Sequence, residues 1–230
     1  MVKVETEYFT EEEHKQKEEM QEFKGKTLLI ELAGGAILGG LSIILAVLVN
    51  PYMPTLPGLG IKFFDLIAIP MVFAFIVFGL KAGLLSTVIG CLGILILPEY
   101  MSWLGMIAKF TATLPMIIIP WLLFQMTAFL KKLFKNMASF EESSKNLQRY
   151  YPYFMGCAIL VRVLFMFLLN LFVFIPLYSG YTVTVFTETR LALLYGLTYA
   201  LWNIVQGFGD AYIPYLLAYP TRLVDNFSTW

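Results

Sequence analysis

Long apolar runs separated by short polar stretches make up most of this chain. Six such runs, in which charged side chains are rare, lie at 27–49, 63–80, 82–98, 104–130, 153–178 and 191–219. A helix needs about 20 apolar residues to cross the ~30 Å hydrocarbon layer of a bilayer. The pattern predicts an all-α integral membrane protein with six transmembrane helices. The second and third are short and nearly continuous.

The composition supports this prediction. Of the 230 residues, 59% are hydrophobic and 14% are charged, whereas a soluble domain is about 45–50% apolar and about 25% charged. We therefore expect a multi-pass protein of the cell membrane. It divides into a charged N-terminal arm at 1–26, a membrane domain at 27–220 and a short tail at 221–230.

The distribution of lysine and arginine predicts the orientation. Twelve of the 16 such residues lie in the arm, the tail and the connections on the same side as these, while Lys62 and Arg190 lie in connections on the opposite side. Cytoplasmic loops carry an excess of Lys and Arg. Both termini are therefore predicted to be cytoplasmic.

Several functions are disfavoured by the residues present. The single histidine, His14, lies in the charged arm, which argues against a histidine-ligated metal site and against a membrane-embedded histidine-dependent enzyme. The two cysteines, Cys91 and Cys157, lie inside apolar runs and form no CxxC pair. The net charge is zero, so no overall field suggests a nucleic-acid partner. We expect no metal and no cofactor.

Two opposite charges lie within the last two apolar runs. Arg162 is about nine residues from the inner end of the fifth run, and Asp210 is about as far from the inner end of the sixth. Sequential helices are antiparallel, so the two charges share a depth. Charged groups in a bilayer usually pair, and we expect a structural ion pair between Arg162 and Asp210.

The outer half of the predicted bundle carries uncharged amides and one amine. Asn170, Asn203, Gln206 and Lys109 present donors and acceptors together, which suits a neutral polar ligand. Trp202 can form a wall of such a pocket and stack on a flat ring. The alternative is that these groups only join helices, at about 0.6–2 kcal/mol per hydrogen bond.

Small residues recur at four-residue spacing in the first run. Gly35 and Gly39 form one such pair, and Ala36 and Gly40 form another. This spacing lets another helix approach closely, either within the chain or from a partner protein. The outer connection at 50–65 contains three prolines and two glycines, and it either covers the pocket or is a plain connector.

These residues resemble a known family, the substrate-binding (S) components of energy-coupling factor (ECF) transporters, most closely the riboflavin-type branch. The fifth run, LVRVLFMFLLNLFVFIPLY, is similar to that branch in its order of arginine, methionine, asparagine, proline and tyrosine: Arg162, Met166, Asn170, Pro176 and Tyr178. The sixth run contains NIVQG, where the family has asparagine, two variable residues, lysine and glycine. FGLKAG at 78–83 is similar to the family's FGPLAG.

The resemblance implies a subunit that captures a vitamin, riboflavin or a related flavin, from outside. A transmembrane coupling subunit and two ATPase subunits would be its partners, with Gly35, Ala36, Gly39 and Gly40 as the docking face. Asn170, Asn203 and Gln206 would bind the vitamin. Gln206 replaces the family's lysine and drops a charge, which Lys109 would supply. The alternatives are another vitamin or precursor and a non-transport membrane scaffold. We do not expect an enzyme, because the single histidine lies in the arm and the apolar runs hold no clustered carboxylates.

Overall fold

A computed structural model describes residues 25–55, 62, 65–97, 102–133, 144–179 and 190–224. Most of the predicted arm at 1–26 and of the tail at 221–230 lies outside these ranges, as does part of the outer connection. The described chain is all-helical, with six helices and no strand. The only β pairing within the described ranges is an isolated antiparallel bridge between Thr55 and Lys62.

The helices follow the six apolar runs. They are α1 (25–44), α2 (Ala68–Phe78), α3 (Leu80–Ile94), α4 (Ser102–Leu133), α5 (Ser144–Leu169) and α6 (Arg190–Ala218). α1 continues through a π turn at Leu45–Val49 and a 3-10 turn at Asn50–Tyr52. α5 continues through a π turn at Asn170–Phe174 and a helical turn at Ile175–Ser179.

Within the described ranges, three helical stretches are long and apolar enough to cross a membrane: Gly25–Tyr52, Ser102–Thr127 and Tyr150–Leu177. α6 is a continuous helix of 29 residues that carries Asn203, Gln206 and Asp210, and it is not among these three. Prolines lie inside α4, α5 and α6. A membrane helix tolerates them where neighbouring helices and side chains satisfy the freed backbone groups.

The second and third predicted spans form a short hairpin. α2 and α3 have 11 and 15 residues, or roughly 16 and 22 Å of helix, which is less than the bilayer core. Gly79 joins them with φ 91°, a backbone conformation that residues with a Cβ atom rarely adopt. Gly83 packs against Phe75, so the two helices run antiparallel.

The core surrounds α2. Because α2 is apolar on all sides, it is stable only when other elements cover it, and eight of its 11 residues are buried. Val72, Phe75 and Ile76 pack with residues of α4, α5 and α6. At one end of this core, Tyr151 of α5 stacks on Tyr215 of α6 with ring centroids 5.4 Å apart. The core thus holds α4, α5 and α6 in fixed register.

α5 and α6 are antiparallel neighbours, as the sequence predicts. Their register is visible in three contacts: Phe167 lies against Gly196, Ile159 against Gly207, and Arg162 against Asp210. The Tyr212 hydroxyl also donates a hydrogen bond to the Pro152 carbonyl at 3.1 Å. This register decides which polar groups of the two helices lie at the same depth.

Candidate functional site

Three polar side chains lie along one side of α6. Trp202, Gln206 and Asp210 are spaced four residues apart, and residues at this spacing share a helix face. Each contacts a group outside α6: the first two bind the backbone of Lys62, and the third binds Arg162 of α5. This face of α6 is the centre of the candidate site.

Two N–H donors of α6 converge on one oxygen atom. Trp202 Nε1 donates to the carbonyl oxygen of Lys62 at 3.0 Å, and Gln206 Nε2 donates to the same oxygen at 2.9 Å. A carbonyl oxygen has two lone pairs, so this pair of donors can saturate it. The two side chains therefore form a cradle for a single carbonyl group, which the chain itself fills.

A second part of the site is a chain of four charges. Arg162 Nη1 lies 2.6 Å from Asp210 Oδ2. The same carboxylate oxygen lies 3.8 Å from Lys109 Nζ. Lys109 Nζ also lies 2.7 Å from Asp65 Oδ2. Arg162, Asp210 and Lys109 are 1%, 2% and 7% exposed, so each charge depends on its neighbours rather than on water.

The ion pair between Arg162 and Asp210 that the sequence predicts is present in the structure. Lys109 has a different environment from the one expected. The sequence predicts that Lys109 belongs to an outer set of polar groups without a carboxylate and that its charge compensates for Gln206. It lies instead between Asp65 and Asp210, so its charge is already matched within the protein.

Asp65 and the Lys62 carbonyl are the site groups that sequence reasoning missed. Asp65 lies near the start of the second apolar run and on the same predicted side as the start of α4, and this position is the signal that could have found it. Its Oδ1 also accepts the Ile67 N–H at 3.1 Å, just ahead of α2. The Lys62 carbonyl belongs to the backbone, so no side-chain pattern indicates it.

The two asparagines donate to their own helices. Asn170 Nδ2 donates to the Met166 carbonyl at 2.6 Å, and Asn203 Nδ2 donates to the Tyr199 carbonyl at 2.9 Å. Both residues are buried. No donor in the described part of the chain contacts the side-chain oxygen of either. The amide nitrogen of each asparagine is thus satisfied within its own helix, and its side-chain oxygen accepts no hydrogen bond from the described residues.

The helix register separates these asparagines. Phe167 and Leu171 both lie against Gly196, which puts Asn170 near that level of α6. Asn203 lies seven residues further along α6, or roughly 10 Å. Asn203 and Gln206 therefore lie toward the charge network, while Asn170 lies toward the end of α5 that the sequence predicts to face outside. The set expected from the sequence is spread along the bundle axis rather than gathered at one depth.

The four small residues of α1 do not form one surface. A Cβ atom on Gly35 would lie 2.8 Å from the Ala82 carbonyl oxygen, and one on Gly39 would lie 2.8 Å from Ile89 Cβ, so both glycines face α3. Ala36 is exposed, and Gly40 has open space beside it. The predicted docking face is thus divided, because the hairpin packs into half of it.

Comparison with protein families, with curated proteins and with solved structures yields no match to this chain. The resemblance to ECF substrate-binding components therefore rests on the residue patterns quoted above. Within the described ranges, no group of three or more His, Cys, Asp or Glu is placed to hold a metal ion.

Proposed function

We propose that this protein is the substrate-capture subunit of an ECF-type importer in the cell membrane, with six membrane-spanning helices and both termini in the cytoplasm. It binds riboflavin or a related flavin from outside. A transmembrane coupling subunit and two ATPase subunits supply the energy for its release inside. The proposal is supported by the all-helical fold with its three long apolar helices and by the resemblance of the sequence to that family.

One observation supports a binding role most directly: Trp202 and Gln206 converge on a single carbonyl oxygen. Binding sites are mostly apolar with a few polar groups placed to fix orientation. A vitamin that carries ring carbonyls can accept the same two N–H groups. The indole of Trp202 adds a flat apolar surface on which an aromatic ring can stack.

The observations also support a second candidate, a membrane scaffold without a ligand. Every amide nitrogen among Asn170, Asn203 and Gln206 donates to a protein carbonyl, so these groups are satisfied without a vitamin. A scaffold would use the open side of α1 at Ala36 and Gly40 for its partner. Within the importer class, a vitamin or precursor other than a flavin is the nearest alternative.

Titration of the purified protein with riboflavin tests the proposal. The chain has four tryptophans, and a flavin bound beside Trp202 should quench its fluorescence with a nanomolar to micromolar dissociation constant. Trp202→Phe should remove a large part of the quenching. Trp103→Phe, at an exposed tryptophan of α4, is the matched control. Absence of quenching up to the solubility limit of riboflavin, after correction for light absorbed by the flavin, would favour the scaffold.

A further inference from the structure

The candidate site is filled by two groups of the protein's own chain. The Lys62 carbonyl accepts the Trp202 and Gln206 N–H groups, and the Asp65 carboxylate pairs with the Lys109 ammonium. These two groups are three residues apart in sequence and reach α6 and α4, respectively. The N–H donors of the site are thus bound by a neutral carbonyl group at Trp202 and Gln206 and by an anion at Lys109.

The charges constrain what can replace Asp65. Asp65 and Asp210 balance Lys109 and Arg162, so the four residues together are neutral. If Asp65 leaves, two buried cations share one carboxylate. Asp210 Oδ2 is already 2.6 Å from Arg162 Nη1 but 3.8 Å from Lys109 Nζ. An uncompensated buried charge is strongly unfavourable, so the site without Asp65 attracts an anion.

The Lys109 ammonium is also able to bind more. Its ammonium contacts one oxygen at hydrogen-bond distance, Asp65 Oδ2 at 2.7 Å, while Asp210 Oδ2 lies further away at 3.8 Å. An ammonium has three donors. An anionic ligand with several oxygens at Lys109 would use donors that these two contacts leave unused.

We propose that the Lys62 carbonyl and the Asp65 carboxylate are internal stand-ins for the ligand, and that the ligand is an organic anion bearing a carbonyl group. On binding, its carbonyl takes the Trp202 and Gln206 donors, and its anionic group takes Lys109. This inference rests on the proposed function, and it narrows the substrate class. Among flavins it favours riboflavin 5′-phosphate over riboflavin.

Binding to matched pairs of molecules tests the charge requirement. Riboflavin 5′-phosphate and riboflavin form one pair, and pantothenate and its alcohol pantothenol form another. Each pair differs at the anionic group. In calorimetry with the full chain in nanodiscs, the anionic member of at least one pair should bind at least about tenfold more tightly. Asp65→Asn should tighten that binding further, because it removes the internal competitor.

The variants must separate a binding role from a folding role. Lys109→Met leaves Asp65 unpaired and can fail to fold, so the double variant Asp65→Asn/Lys109→Met, in which both charges are absent, is the main test. It should lose the preference for the anion. The double variant Glu31→Gln/Lys81→Met is the control, because it likewise removes both charges of an ion pair, and the Lys81 side chain is 65% exposed, outside the site.

Hydrogen exchange supplies a readout that needs no flavin. The Ile67 amide donates to Asp65 Oδ1, so it should exchange at least about tenfold faster in Asp65→Ala, which removes this acceptor, than in Glu31→Gln/Lys81→Met. A ligand that displaces Asp65 should cause the same change in the natural sequence.

Each outcome decides a separate claim. Equal binding within both pairs, with riboflavin bound, would overturn the anion requirement and leave flavin capture standing. Binding of pantothenate, but not of pantothenol or either flavin, would overturn flavin capture and support the anion requirement. If no anion binds more tightly than its neutral partner, or a bound anion leaves exchange at Ile67 unchanged in the natural sequence, the inference is wrong.

Discussion

Arg162 and Asp210 are 48 residues apart in the sequence, and their charged atoms are 2.6 Å apart. Their pairing joins α5 to α6 at a depth where neither side chain reaches solvent. The cost of burying both charges is high, and the attraction between them offsets it only if both are present. The two residues should therefore behave as a unit when they are changed.

Single and double substitutions test this unit. Arg162→Ala or Asp210→Ala alone should lower stability by about 3–5 kcal/mol, because each leaves a buried charge without its main partner. The double variant should lose clearly less than the sum of the two. Thermal unfolding of the detergent-solubilised protein measures all three. Simple additivity would mean that the two charges do not depend on each other.

Substitutions on α6 test the binding face. Gln206→Ala should weaken ligand capture about tenfold, because a hydrogen bond to the ligand is lost. Asn203→Ala should also weaken capture, through its unused oxygen. Membrane insertion and yield should stay nearly unchanged in both. Gln125→Ala, at an exposed glutamine of α4, is the matched control. Reduced yield with undiminished binding would instead favour a helix-joining role.

The divided face of α1 gives opposite expectations for two glycines. Gly35→Leu should reduce stability and yield, because even a Cβ atom there would lie 2.8 Å from a backbone oxygen of α3. Gly40→Leu should leave folding and ligand binding intact, because nothing lies within 4 Å. It should instead weaken association with a coupling subunit, measured by co-purification. Normal co-purification of Gly40→Leu would exclude this surface as the docking site.

The turn between α2 and α3 should require glycine. Gly79→Ala should lower stability by about 1–2 kcal/mol, because φ is 91° at this position. Gly25→Ala, at a glycine with nothing within 4 Å and no positive φ, should be neutral. The melting temperatures of the two variants provide the comparison. Equal melting temperatures would mean that the turn adapts without strain.

The sequence predicts the helices and one contact of the site well, for identifiable reasons. Apolar runs and their breaks indicate the helices, and charges inside antiparallel neighbours indicate the Arg162–Asp210 pair. The sequence groups Lys109 with uncharged amides and not with Asp65. Asp65 lies at the end of a connection whose path the hydrophobic pattern does not determine. The carbonyl of Lys62 could not be predicted, because any residue presents the same backbone oxygen.

The division of the α1 small-residue face also could not be predicted. Four-residue spacing shows that another helix can approach closely. It does not show whether that helix packs against the Gly35 and Gly39 pair or against the Ala36 and Gly40 pair. Gly35 and Gly39 face α3 because the short hairpin needs backbone-level packing, with Gly90 and Gly93 of α3 likewise packing against α1. The interlocking glycines of both helices, rather than one motif, determine this interface.

The shortness of the α2–α3 hairpin has a consequence for the lipid around it. In the proposed orientation its turn at Gly79 lies near the cytoplasmic surface, and its helices of roughly 16 and 22 Å end below the outer edge of a ~30 Å hydrocarbon layer. About 8–14 Å of the layer's thickness on the exterior side would then lie beyond the two short helices. Lipid beside the hairpin would thin locally to match it, and Asp65, just ahead of α2, would lie below the level at which the longer helices end.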